Sequence, residues 1–262
     1  MKMFKKSLSV ILAVMMIFGC MSVMAFAAND VTVSLRIEGI TECLYYGKVT
    51  VDSDATVLDV IKTADEKDDS LTVTTVESKY GDYITTINGI TAGSYTAIKW
   101  DGWSYMVDGK SPDVGVSAYT VSNGDAIVMY YGDPWNTGMQ YPSINTSDLS
   151  DGEISFASMD TVYDDNWNAV TKECAVTDYT LTWGYNGKTV KITPDENGVC
   201  KIPYKHLTIG KHTVQIEKYD EKTGLPTVLR YAPDFTVSIS IWEGIAAFFK
   251  MIFETIMSVF GA

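Results

Sequence analysis

Thr56-Val57-Leu58-Asp59-Val60-Ile61-Lys62-Thr63-Ala64, residues 56–64, is where the period of the chain changes. Thr56 stands three residues before Asp59, the spacing of a capping box, in which each side chain accepts a hydrogen bond from the other residue's backbone N–H. Val57, Leu58, Ile61 and Ala64 then recur at helical spacing and give one apolar face. The charged run Asp65–Asp69 ends the helix. Its acids lack the D-x-[DN]-x-[DN]-G order that wraps a calcium ion and read as solvated surface.

The sequence on either side alternates instead. Val31, Val33, Leu35 and Ile37 interleave with Thr32, Ser34, Arg36 and Glu38, the mark of a half-buried strand, and Tyr45–Val51 extends in the same way. After the helix, residues 71–76, 82–87, 103–107 and 126–131 are rich in β-branched and aromatic side chains. Asn88-Gly89, Asp108-Gly109 and Asn123-Gly124 punctuate them with residues that tolerate positive φ. A hairpin, one helix and further strands predict an α+β sheet with the helix across one face, the element order of a β-grasp fold.

Residues 133–152 (DPWNTGMQYPSINTSDLSDG) lack a sustained period and read as a linker. Beyond them, residues 154–157, 179–185, 189–192, 212–218 and 235–239 read as short strands, with turns at 184–187, 195–198 and 223–226. Short strands with regular turns predict an all-β sandwich of immunoglobulin-like type, although the Cys…Trp…Cys spacing of a true immunoglobulin domain is absent. The predicted organisation is a signal peptide over 1–27, a β-grasp-like domain over 28–132, the linker over 133–152, a β-sandwich over 153–240 and an amphipathic helix over 241–262.

The signal peptide is read from Lys2, Lys5 and Lys6, the apolar run 8–24, and Ala25-Phe26-Ala27 ahead of a cut before Ala28. Ile17-Phe18-Gly19-Cys20 also loosely resembles a lipobox, which would make Cys20 the lipidated first residue. The reading predicts an extracellular protein, secreted or peripheral to the outer face of the cytoplasmic membrane. The whole chain carries a net charge of −13, and removing three Lys with residues 1–27 takes the remainder to −16. That acidity excludes nucleic acid as a partner, since such binding rests on cationic contacts to phosphate. Cys174 and Cys200 lie in one segment and are candidates for a disulfide; Cys43 reads as a small buried residue. His206 and His212 are read as structural or exposed. No G-x-S-x-G, H-E-x-x-H or Gly-rich phosphate loop is present, so the chain reads as non-enzymatic, with no catalytic residues, no metal ligands and no cofactor assigned.

Aromatic residues are dense between Tyr80 and Trp135. Exposed Trp and Tyr stack on flat ligands or sugars at little entropic cost, whereas alternating strand aromatics fill cores. Trp100 and Trp135, on loop-like sequence, are the leading ligand candidates. Trp103 and Tyr105 are ligand candidates that a strand core would also explain.

Residues 241–260 have a helical period. At 100° per residue, Glu243, Lys250 and Glu254 share one narrow stripe, with Ser258 beside it, and Lys250 and Glu254 form an i,i+4 pair. Large apolar residues fill the opposite side, and Trp242, Phe248, Phe249, Ile252, Ile256 and Phe260 are the candidates for membrane or partner contact. Two charges near mid-membrane would cost about 2.5–3.5 kcal/mol each, so a helix lying in the interface, or docking on a partner, is expected rather than a spanning one.

Five stretches in the first domain together carry a family resemblance. They are Ser34–Gly39, Thr56–Ile61, Tyr83–Gly89, Gly102–Gly109 and Asn123–Tyr131. In this order, over about residues 30–132, they resemble a bacterial domain family of unknown function that is similar to the C-terminal domain of transcobalamin and intrinsic factor. Family members usually carry Asn where Asp108 stands. The resemblance implies a β-grasp-type domain that covers one face of a corrinoid, while the helical domain that holds the other face in transcobalamin has no counterpart in this sequence. The expected function is therefore an exported cell-surface binding protein contacting a corrinoid or another flat small molecule. The alternative is a structural or adhesive surface protein with no small-molecule site.

Overall fold

The computed structural model describes residues 30–260 apart from Tyr80, Ile98, Pro134 and Asp165, and does not describe the side chains of Val259 and Phe260. The expected signal peptide and Cys20 lie outside the described residues. The chain is mostly β, arranged in several sheets with a C-terminal helix.

The first unit is built on a four-stranded sheet ordered β2-β1-β7-β6, formed by β1 (Asp30–Glu38), β2 (Cys43–Asp52), β6 (Gly102–Val107) and β7 (Ala126–Gly132). β1 runs antiparallel to β2 and parallel to β7, with Leu35 opposite Ile127 and Ile37 opposite Met129. Helix α1 (Val57–Lys67) packs Val57, Leu58, Val60, Ile61 and Ala64 against one face of this sheet, burying them with Val33, Leu35, Ile37 and Ile127. The capping box forms as read: Asp59 N donates to Thr56 Oγ1 at 3.3 Å and Thr56 N to Asp59 Oδ2 at 2.8 Å. A small sheet of β3 (Val73–Val76), β4 (Tyr83–Ile87) and β5 (Ile90–Thr91) closes the unit. Its tight turn places Asn88 and Gly89 at φ 47° and 80°, which only such residues adopt cheaply.

The second unit is two sheets around one core. In one, β9 (Glu153–Tyr163) pairs with β8 (Ser143–Asn145), β10 (Ala169–Ala175) and β13 (Val199–Lys201). The other is ordered β12-β11-β14-β15, from β11 (Thr180–Tyr185), β12 (Lys188–Ile192), β14 (Gly210–Glu217) and β15 (Thr236–Ile239). Ile154 and Phe156 meet Leu181, Trp183, Val214 and Ile216 between them. Trp183 is fully buried, donates from Nε1 to His206 O at 3.1 Å and stacks on His212 at 4.7 Å. His212 is fully buried, and the His206 ring packs 4.1 Å from that of Tyr185. The linker is not free of structure, since its residues 143–145 add a strand to this unit.

The expected Cys174–Cys200 disulfide does not form: Cys43, Cys174 and Cys200 are all free. Cys174 pairs with Ser158 and Cys200 with Ile154. Four residues of strand separate those partners, about 13 Å, well beyond what a disulfide bridges.

The face of the first sheet away from α1 is covered by the second unit. Met106, Val128 and Tyr130 pack with Leu229 and Met139. Arg230 fastens the seam. Its Nε and Nη2 reach Glu38 Oε2 at 2.8 and 2.5 Å, and its Nη atoms donate to Gly39 O, Ile40 O and Glu42 O at 2.9, 3.1 and 2.9 Å. Arg36 donates to the Arg230 carbonyl and lies 3.6 Å from Glu38 Oε1. Removing one partner of such a buried pair strands a charge and costs about 3–5 kcal/mol. Arg230→Ala is expected to lower stability by that amount in urea unfolding, and Arg230→Met with Glu38→Gln to recover part of the loss.

Candidate functional site

The ladder between β6 and β7 ends with Gly102 opposite Gly132. The loops before Gly102 and after Gly132 therefore leave the same end of the sheet, and they carry Trp100 and Trp135. Both are open to solvent, 61% and 82% exposed, and Tyr95 joins them at 49%. The candidate site is this aromatic rim.

Asp101 organises it. The carboxylate is almost fully buried, with Oδ2 accepting from Tyr95 N at 2.9 Å and from the Tyr131 hydroxyl at 2.5 Å. Oδ1 accepts from Thr96 N and Thr96 Oγ1 at 3.0 and 2.5 Å. Burial alone would raise its pKa, but the bonds from Thr96, Tyr131 and Tyr95 outweigh it and hold the carboxyl at about 2. Burial and the adjacent carboxylate push the Tyr131 phenol up. The Tyr131 ring is packed edge-on against Tyr95 and Trp103, at 5.4 and 5.2 Å. On the other loop, Asp133 accepts from Asn136 Nδ2 at 2.8 Å and its carbonyl from Thr137 N at 3.0 Å, which tightens the turn bearing Trp135. Asp133 Oδ1 is buried with no hydrogen-bond partner among the described residues.

Two expected ligand residues belong to the framework instead. Tyr105 is 8% exposed and donates from its hydroxyl to Val114 O at 2.6 Å, because its side of β6 faces α1. Trp103 is half-buried against the same core and donates from Nε1 to Ile90 O at 3.0 Å. Asp101 and Tyr95 are not among the residues the sequence assigns to the site. The sequence carries no sign of this role, because Asp101-Gly102 reads as an ordinary Asp-Gly turn pair.

Beside the Trp135 turn opens a cavity of about 920 Å³, within the usual span for small-molecule sites. Asn136 and Gln140 of the linker, Asp160 and Thr161 of β9, and Lys218 and Asp220 line it with hydrogen-bonding groups. Gln140 Nε2 donates to Asp160 Oδ2 at 2.9 Å across its wall. Cys43 and Cys200 contribute no ready nucleophile, since burial pushes their thiols up to about 12 and about 11. Among the described residues no group of three or more His, Cys, Asp or Glu is placed to hold a metal ion.

Residues 54–133 match the family model for a domain of unknown function (DUF4430). The match begins inside the stretch read from sequence as 30–132 and takes in α1, β6, β7 and the Asp101 loop. No curated protein matches the chain. Among solved structures, one of haptocorrin in complex with Cbi is 26% identical with a TM-score of 0.35, over 39% of this chain and 25% of haptocorrin. The chain thus spans a quarter of haptocorrin's length. A protein from Ruminococcus gnavus, provisionally described as metal binding, is 20% identical with a TM-score of 0.30, over 38% of this chain and 95% of that protein.

The second candidate surface is helix α2 (Ile241–Phe260). Ser240 and Glu243 cap it reciprocally, with Ser240 N donating to Glu243 Oε2 at 2.7 Å and Glu243 N to Ser240 Oγ at 3.3 Å. Gly244 and Ala247 are buried against the second unit. The expected Lys250–Glu254 pair gives way to a tertiary one: Lys250 bonds Ser150 O at 2.8 Å and the Asp151 carboxylate. Lys250 thus turns onto the protein, while Glu254 and Ser258 of the same stripe stay exposed. Trp242, Phe248, Phe249, Ile252 and Ile256 are all exposed on the far side, with Phe253 among them; the Phe260 side chain is not described. Among the described residues no helix is long and apolar enough to cross a membrane.

Because the Asp101 pKa is depressed, its stabilising effect is fully present above about pH 4 and fades as pH falls toward 2. Asp101→Asn is expected to cost about 1.5–3 kcal/mol at neutral pH. The melting-temperature gap between the two proteins should narrow steadily between pH 4 and pH 2.

Proposed function

We propose that this is an exported, non-enzymatic binding protein of the cell surface, which takes a flat small molecule such as a corrinoid on its aromatic rim and rests on the membrane through α2. In this reading the first unit is a β-grasp-type domain of transcobalamin-like character, and the second is an immunoglobulin-like sandwich that serves as a spacer. The carrying observation is that Trp100 and Trp135 leave one end of the β6–β7 ladder and stay open to solvent on turns braced by buried carboxylates. Held faces of that kind stack on a planar ligand with little ordering cost. The polar cavity beside Trp135 supplies partners for a ligand's peripheral hydrogen-bonding groups. The family match supports the domain reading and leaves the ligand to experiment.

A second reading, an adhesive module with no small-molecule site, is favoured by the β9–β10 arm. Past Ala157 these strands pair only with each other, and Tyr163 and Trp167 stand 66% and 83% exposed near its tip. Trp167 is held at φ 64°, an uncommon conformation for a bulky side chain.

Titration with a corrinoid should produce saturable quenching of Trp fluorescence and a shift in corrinoid absorbance. Trp100→Ala and Trp135→Ala should each weaken binding about 2- to 10-fold. No change at millimolar corrinoid would rule out that ligand. In cell fractionation, the full chain should sediment with membranes and a chain ending at Ser240 should not; equal solubility of the two rejects the anchor.

A further inference from the structure

The way α2 is docked leaves a second feature on its flank. At 100° per residue, the residues facing the protein, Ala247, Met251 and Gly244, fall on one side of the helix. From Phe248 round to Phe253, large apolar side chains span an arc of about 140° on the other side. Gly244 lets the helix approach closely, since a Cβ there would lie 2.4 Å from Ile209 Cγ1. The backbone of the turn around 204–209 and the helix then bound a groove of about 390 Å³. Its walls are the hydrocarbon of Leu207, Ile209, Ile245, Phe248 and Met251.

We propose that this groove holds one acyl chain of an anionic phospholipid; the inference rests on the reading of α2 as a membrane-seated helix. Three observations select that occupant. Ile245 and Phe248 line the groove and also belong to the exposed face of the helix, so the groove opens directly onto the surface that would meet lipid. Lys205 stands exposed at the groove wall with no ion pair among the described residues, a local cation in a chain of net charge −13. It is placed to pair with a headgroup phosphate, whereas Lys250 is already committed to Asp151. A second copy of the helix fits less well. A two-helix seam covers a narrow stripe, and the 140° arc would leave residues such as Trp242 or Phe253 wet, while a lipid interface covers all of it.

The overall acidity of the chain makes a captured chain with a local cation more useful than diffuse attraction. An acidic protein is repelled by an anionic bilayer, so its hold must come from buried hydrocarbon and one matched charge.

The test uses phosphatidylglycerol with short acyl chains, below its micelle concentration, added to the full chain without residues 1–27 and followed by calorimetry and native mass spectrometry. One equivalent is expected to bind. Lys205→Glu should weaken phosphatidylglycerol about tenfold while changing phosphatidylcholine of the same chain length far less. Phe248→Asp, at a groove position 54% exposed and outside the Gly244–Ile209 contact, should abolish binding of both lipids without lowering the melting temperature. Glycerol phosphate alone should not bind. The proposal is overturned if neither lipid binds saturably, if glycerol phosphate binds as well as the lipid, or if the protein self-associates and only the dimer interface involves the groove. Flotation with phosphatidylcholine–phosphatidylglycerol vesicles reads the anchor separately. Flotation without binding of monomeric lipid rejects the groove and keeps the anchor; the reverse rejects the anchor and keeps the groove.

Discussion

The contact between Arg230 and Glu38 is the constraint on which the arrangement of the two units depends. β1 is buried on both faces over its second half. Leu35 and Ile37 turn toward α1, while Arg36 and Glu38 turn toward the second unit. A carboxylate whose side chain is 4% exposed is tolerable only if paired and hydrogen-bonded. Arg230 meets that demand at Oε2, while Oε1 faces Arg36 Nε at 3.6 Å without a hydrogen bond among the described residues; the remaining donors of Arg230 satisfy the carbonyls of Gly39, Ile40 and Glu42. A planar guanidinium with fixed donor directions is well suited to this, where a lysine would satisfy fewer groups in less defined geometry. Replacement by apolar residues of similar volume can be nearly neutral in energy. The ionic cluster therefore contributes mainly by specifying one way for the segment around Arg230 to lie on the sheet.

That specification reaches the surfaces. Leu229 and Met139 pack on Val128 and Tyr130 of the first sheet. Gln140 is tied by backbone bonds to Thr227 and Leu229. The chain between β7 and Gln140, which carries Trp135, is thus held at both ends. The helix is fixed to the second unit independently, through Lys250 with Asp151 and the Gly244–Ile209 approach. An aromatic rim near the seam and an outward apolar helix are consequently parts of one body rather than of two tethered ones.

Much of this was legible in the sequence where the decisive interactions are local. The Thr56–Asp59 box and the spacing of Val57, Leu58, Ile61 and Ala64 specify α1 within three turns of chain, and the Asn-Gly turns lie where positive φ is needed. For Arg36, Glu38 and Lys250 the cause of the misreading is a partner distant in sequence. Arg36 and Glu38 alternate with apolar neighbours as solvated residues would, and alternation cannot distinguish water from a residue such as Arg230, 192 positions from Glu38. Lys250 had an eligible local partner in Glu254 but found Asp151. β10 carries no apolar period because almost all of it is exposed. Tyr105 and Trp100 look alike as aromatic residues between polar ones, and only the sheet's two faces tell core from rim.

The claim that the units form one body is tested most directly by native-state hydrogen exchange in rising denaturant. In a single body the Leu229 amide, bonded to Gln140 O, and the Gly39 amide, bonded to Glu42 O, lose protection together with the amides of β7 in one cooperative step. Exchange of Leu229 and Gly39 at low denaturant, while β1 and β7 stay protected, would show that the units separate freely and would contradict it.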